Sequence, residues 1–238
     1  MSTVWISVGS YNDDEQSALA RAEAAYKANI ACRDSIEAAF GSSPKPSAEL
    51  LSPILEQYGY QRTAWVLANT LYERQNTEHF GRDSLRLADR LCYPLPDNDR
   101  QDFLVRLPAA MMNALVSLYK RAYRSLPLFD SSQCLPNRQR TNYQGQVLAL
   151  RPDMMQFICA DPKDQLWYAV SGEGCEAGQN DADLLCTNLS DGYTGLWTRR
   201  CFAGVLREEL LPDWAQEKLA ELTATQQENQ SIGEMKLE

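Results

Sequence analysis

Apolar side chains in the first half of the chain recur at helical spacing. Leu19, Ala22, Tyr26 and Ile30 step by three or four residues, and Cys32, Ile36 and Phe40 continue the stripe along one side of a helix. Gly41 supplies a stop, and the loop 42–46 holds two prolines that cannot extend the helix. Ser47 is placed to cap a second helix with Leu51, Ile54, Leu55 and Tyr58 inward. Gly59 interrupts that pattern, which residues 63–72 resume with Val66, Leu67 and Leu71 inward. A third helix is expected over 84–91, followed by a proline-broken stretch at 93–98. Pro108 stands where a first-turn proline belongs, ahead of Met111, Met112, Leu115, Leu118, Tyr119 and Ala122. Pro127 ends this part.

Beyond it the period changes. Residues 130–142 are polar and read as a linker. Short apolar runs of strand length then follow at 143–150, 165–170, 184–189, 193–198 and 201–206. Asp191-Gly192 predicts a tight hairpin, because that pair tolerates positive φ. Gly172-Glu173-Gly174 marks another turn. Leu211-Pro212-Asp213-Trp214 opens a last helix with Trp214, Ala215, Leu219 and Leu222 on one side, and the polar chain from Thr223 is expected to fray. The expected fold is α+β: an N-terminal helical domain, then a small antiparallel β-sheet or partial barrel with a C-terminal helix. The boundaries are 1–129 for the helical domain, 130–142 for the linker, 143–228 for the β-rich module and 229–238 for a tail.

Charge divides along the same lines. The whole chain carries −9, yet residues 61–151 hold twelve arginines and a positive balance, while 152–238 are strongly acidic. A uniform nucleic-acid coat is therefore disfavoured, whereas a local basic face is compatible with the sequence. Arg82, Arg86 and Arg90 recur every four residues on one helical face, and Lys120, Arg121 and Arg124 sit on another helix. Guanidinium forks suit phosphate and carboxylate, so these six are the candidate partner- or anion-binding residues. The bland alternative is a solvated face partly neutralised by Asp83 and Asp89, or pairing with the acidic back half.

Catalytic constellations are sparse. His79 is the single histidine and falls in a loop, so Ser-His-Asp, Cys-His and multi-histidine schemes lose their base unless His79 supplies it. The seven cysteines include no pair at metal-site spacing, although Cys175, Cys186 and Cys201 share the β-rich part. Asp181, Asp183 and Asp191 lack the glycine and glutamate of a calcium loop. No phosphate loop, dinucleotide fingerprint or nucleophile elbow is present. No catalytic residue, metal or cofactor is expected, with a carboxylate- or metal-dependent enzyme as the remaining alternative. No apolar run approaches the ~18 residues of a membrane span, and the first residues lack a signal-peptide pattern. A cytoplasmic protein with free thiols is the expectation.

Two segments, Tyr26-Lys27-Ala28-Asn29-Ile30-Ala31-Cys32-Arg33 and Tyr58-Gly59-Tyr60-Gln61-Arg62-Thr63-Ala64-Trp65, together resemble a helical domain of unknown function. That domain recurs in accessory proteins of conjugative elements and prophages of gut bacteria. Tyr143-Gln144-Gly145-Gln146-Val147, Trp197-Thr198-Arg199-Arg200-Cys201 and Leu211-Pro212-Asp213-Trp214 resemble the second, β-rich module of the same proteins. The family's Asp-Gly-Arg stretch is reduced here to Gly81-Arg82. The resemblance implies a setting and no residue roles. In that setting the expected function is a non-enzymatic interaction protein of a mobile genetic element, an anti-defence inhibitor of anti-CRISPR or antirestriction type. Its partner would be a host or element protein such as a defence nuclease complex. The alternative is a regulatory or transfer protein that binds nucleic acid through the Arg-rich middle.

Overall fold

The computed structural model describes residues 15–43, 45–91 and 102–235. The chain divides into two compact units, one formed by Ser2–Pro127 with Gln156–Asp161 and the other by Leu128–Met155 with Pro162–Glu238.

The first unit is helical: α1 (Glu15–Gly41), α2 (Ala48–Arg74), α3 (Arg82–Leu91) and α4 (Ala109–Arg124). α2 packs against the other three. Its second half is buried on every side from Gln61 to Leu71, so the inward set is far wider than Val66, Leu67 and Leu71. Arg62, Thr63, Asn69 and Thr70 are tolerated there because each finds a partner. Arg62 donates to the carbonyl of Ala25 (3.0 Å) and to Asn29 Oδ1 (2.7 Å). Thr70 donates to the carbonyl of Val66 and accepts from the Val105 amide (3.0 Å).

The buried line of α1 is Ala25, Asn29, Cys32, Ile36 and Phe40, with Tyr26 and Ile30 only half-buried at its flank. The early stripe is thus rotated from the apolar positions, because Asn29 turns inward to meet Arg62. In α4 the inward set is Met112, Leu115, Val116, Tyr119 and Tyr123, and Pro108 stands at the N-cap rather than inside the first turn. Ser47 also occupies an N-cap position but makes no capping bond. The expected break at 93–98 and Leu19's side chain lie outside the described residues.

Gly59 divides α2. Its φ of 79° and ψ of 167° break the helical ladder. The freed amide of Tyr60 donates to the carboxylate of Asp161, so the second half of α2 starts with an anion at its positive end. A Cβ at residue 59 would meet Asp161 Oδ2 at 2.6 Å. Position 59 therefore requires glycine for its backbone and for its neighbour.

The second unit holds β1 (Val147–Leu150), β2 (Leu166–Ser171), β3 (Asp183–Asn188), β4 (Thr194–Thr198) and β5 (Phe202–Val205). Short α5 spans Pro152–Ile158, and α6 runs from Asp213 to Met235. The strands form one open antiparallel sheet in the order β4-β3-β2-β1-β5, so all five expected strands are present. Gly192, at φ 74°, closes the β3–β4 hairpin and donates to the carbonyl of Asn188 (2.9 Å). Val147, Ala149, Leu166, Tyr168 and Ala203 form one core face, against which Ala215, Trp214, Leu219 and Leu222 of α6 pack. α6 continues well past Thr223, because its Gln-, Glu- and Ala-bearing continuation has good helix propensity and no proline. Residues 130–142 carry two 3-10 turns, and Cys134 bridges to Leu206.

Among the described residues no helix is long and apolar enough to cross a membrane.

Candidate anion-binding cleft

α3 and α4 bring their cations together. Arg86 and Arg90 of α3 and Lys120 and Arg124 of α4 line one pocket of about 250 Å³, with Leu87, Tyr119, Tyr123, Gln156 and Cys159 among its walls. The four-residue spacing puts Arg86 and Arg90 one turn apart on the same side of α3. The same rule aligns Lys120 with Arg124 on α4. Arg82, at the start of α3, and Arg121, one step round α4 from Lys120, are exposed and do not line the pocket. The cleft thus gathers four of the six candidates.

One acidic residue tempers it. Asp83 accepts from Lys120 (2.9 Å), and its carboxyl is held below the usual carboxylate range. The hydrogen bond and charge of Lys120 are the main causes, with Arg86 and Arg124 adding to them. Asp83 is exposed, so this ion pair can exchange for another anion at little cost. Asp89 is exposed and does not line the cleft.

The floor comes from Gln156–Asp161. Arg90 donates from Nη2 to Cys159 Sγ (3.1 Å), Tyr123 donates to the carbonyl of Ala160 (2.6 Å), and Tyr119 donates to the carbonyl of Tyr60 (3.1 Å). Rings of Tyr60, Tyr119 and Tyr123 pack together, with Tyr60 and Tyr123 edge-on at 5.3 Å. Cys159 holds φ 51°, a conformation uncommon outside glycine. Burial pushes its thiol upward, against the opposing pull of Arg90, Tyr119 and Lys120. Burial thus disfavours the thiolate of Cys159, although cations stand beside it.

Cys159 and Gln156 could not be found from sequence spacing, since each lies more than thirty residues beyond Arg124. Tyr119 was legible only as a core position.

Elsewhere, His79 is exposed in the loop between α2 and α3. A larger pocket of about 510 Å³ is lined by Glu73, Arg74 and residues 104–108. Its Arg74 guanidinium is already bonded to Glu78 and to the carbonyls of Val105 and Leu107. Among the described residues no three His, Cys, Asp or Glu side chains gather as a metal site, and the six described cysteines are free thiols.

Comparison with characterised proteins and with solved structures gives no significant match. A protein-family model matches just under half of the chain, spanning α1 to α4 and every residue that α3 and α4 bring to the cleft. That family is described as a protein of unknown function (DUF3849), and the match covers residues 8–124.

Proposed function

We propose that the protein is a non-enzymatic interaction protein whose helical unit engages its partner by receiving an anionic group in the cleft between α3 and α4. The observation that carries this reading is the convergence of Arg86, Arg90, Lys120 and Arg124 on one pocket of about 250 Å³. That volume suits a single carboxylate or phosphate with its stem, and the guanidinium forks supply bidentate donors for it. The net charge of −9 disfavours an extended polyanion and favours a local contact. In the mobile-element setting implied by the sequence resemblance, the partner is a host nuclease complex, which the protein inhibits by occlusion.

The test is a pull-down of restriction and CRISPR nuclease complexes by the full chain, compared with an Arg86→Glu/Arg124→Glu variant. Retention by the natural chain, loss by the variant and protection of phage or plasmid DNA support the proposal. A natural chain that retains none of these complexes and protects neither overturns it.

A second reading is favoured by Arg82 and Arg121, which extend the cationic surface of the same two helices outside the cleft. Nucleic-acid phosphates would follow such a surface. This reading predicts DNA or RNA binding that weakens steeply with salt, and no mobility shift at low ionic strength refutes it.

A further inference from the structure

The β-rich unit has its own cationic groove. Arg138, Arg140 and Arg200, together with Asn137, Gln139 and Asn180, line an open pocket of about 670 Å³. The unit's sequence carries sixteen acidic residues against nine basic ones, so three arginines on one groove are a concentration against the local trend. Arg199 lies fully buried beside them. Its guanidinium donates to the carbonyls of Gly174, Cys175, Glu176, Arg138 and Thr141, and it stacks 3.5 Å from the Tyr143 ring. These partners occupy both terminal nitrogens, while Nε is buried without an acceptor; all of them are neutral and leave the charge in place.

The groove is built rather than incidental. Asn137 adopts the left-handed conformation at φ 61° and turns the chain into the Arg138–Arg140 segment. Arg138 donates to the carbonyl of Arg199 (3.0 Å) while Arg199 donates to the carbonyl of Arg138 (2.7 Å), which locks the two segments together. The amide of Arg200 donates to the carbonyl of Asn180 (3.1 Å) and sets those two residues side by side. Arg138 Nε is buried without a hydrogen-bond acceptor. Asp181 reaches Arg200 at 3.3 Å in a well-exposed pair, which an incoming anion displaces readily.

We infer that this groove binds a nucleotide, its phosphate held by Arg138, Arg140 and Arg200 and its base met by the amides of Asn137, Gln139 and Asn180. Amide side chains offer a donor and an acceptor together, the pattern presented by base edges, and a carboxylate or bare phosphate would leave them unused. The volume admits a whole nucleotide. The nucleotide is either free or part of a single strand, and both share this chemistry.

The full-length chain is titrated with a nucleoside monophosphate, with inorganic phosphate and with a fluorescein-labelled single-stranded oligonucleotide. An Arg140→Glu/Arg200→Glu variant, altered at exposed positions, and an Arg86→Glu/Arg124→Glu variant are titrated in parallel. Circular dichroism checks that both remain folded. Binding of a nucleotide probe is expected to weaken about tenfold or more in the groove variant and to stay unchanged in the cleft variant. The salt slope is expected to fall by about one for each lost phosphate contact. Binding of the monophosphate identifies a free nucleotide, and binding of the oligonucleotide alone identifies a strand. Inorganic phosphate competing equally well with the monophosphate overturns the nucleotide assignment. So does equal affinity of the groove variant, or no binding by the natural chain at low salt. Because the two variants alter different units, failure here leaves the cleft proposal standing, and the reverse holds.

Discussion

Replacing Arg199 with methionine tests how the β-rich unit is held together. The natural guanidinium makes five hydrogen bonds to carbonyls at 2.6–3.2 Å and stacks on Tyr143. Hydrogen bonds from a charged donor contribute about 1.5–3 kcal/mol each, so five set an upper bound on the order of 10 kcal/mol. Burying the ion costs several kcal/mol of lost hydration, and methionine recovers some apolar packing. The difference leaves a loss of about 3–5 kcal/mol, because the carbonyls around Arg199 lose their donor and stay buried. Arg199→Lys should lose about half as much, since one ammonium cannot reach both the 138–141 and the 174–176 carbonyls. Equilibrium urea unfolding of the natural chain and both variants, followed by tryptophan fluorescence, reads the effect. Trp167 and Trp197, whose rings meet at 5.1 Å, report on this unit. A methionine variant within about 1 kcal/mol of the natural chain would refute the idea that Arg199 joins these loops.

Four further outcomes are expected. Gly59→Ala should cost about 2–3 kcal/mol, because its Cβ meets Asp161 and its φ is positive, and an unshifted urea midpoint would contradict this. Asp161→Ala, which removes the anion from the Tyr60 amide, should cost about 1 kcal/mol in the same assay. Burial pushes the thiols of Cys32 and Cys134 from an ordinary 9.0 up to about 12 and about 11. The folded state therefore keeps protons that unfolded thiols release, so this stabilisation is full below pH 9 and is lost as pH rises toward 11–12. Cys32→Ala should flatten the fall of the urea midpoint between pH 8.5 and 10.5, and equal slopes would refute it. In thiol titration at pH 8, the partly exposed Cys201 should react before Cys32, Cys134 and Cys186, all fully or nearly buried.

The helices and strands were legible because each carries its own period. Leu51, Ile54 and Leu55 mark an inward side without reference to any distant residue, and Asp191-Gly192 marks a hairpin by turn chemistry alone. What sequence could not supply was pairing at long range. Asn29 reads as polar and outward until Arg62, thirty-three positions away, supplies its partner. Gly59 reads as a breaker, but its reason is a carboxylate at Asp161. The candidate arginines were found from their spacing on α3 and α4. Spacing alone could not say that Arg82 and Arg121 face away from the cleft, nor that Cys159 forms part of its floor. Arg199 was visible only inside a resemblance, since an arginine at the end of a strand gives no sign that it is buried.

The net charge of −9 is a poor guide to either cationic site, for a physical reason. At physiological salt the Debye length is about 8 Å, so acidic residues farther than that from a bound group contribute little to its energy. An anion in the cleft instead feels Arg86, Arg90, Lys120 and Arg124 at contact range, where their attraction is least screened. The acidic remainder acts earlier, on the encounter: it repels an approaching polyanion over distances that shrink as salt is added. For an anionic partner, moderate salt should therefore speed association while it weakens the bound state, so the two rate constants separate the long-range field from the local site. Stopped-flow measurement over a salt series would show this as a rising association rate beside a faster-rising dissociation rate. An association rate that falls monotonically with salt would mean that the local cations, not the acidic total, steer the encounter.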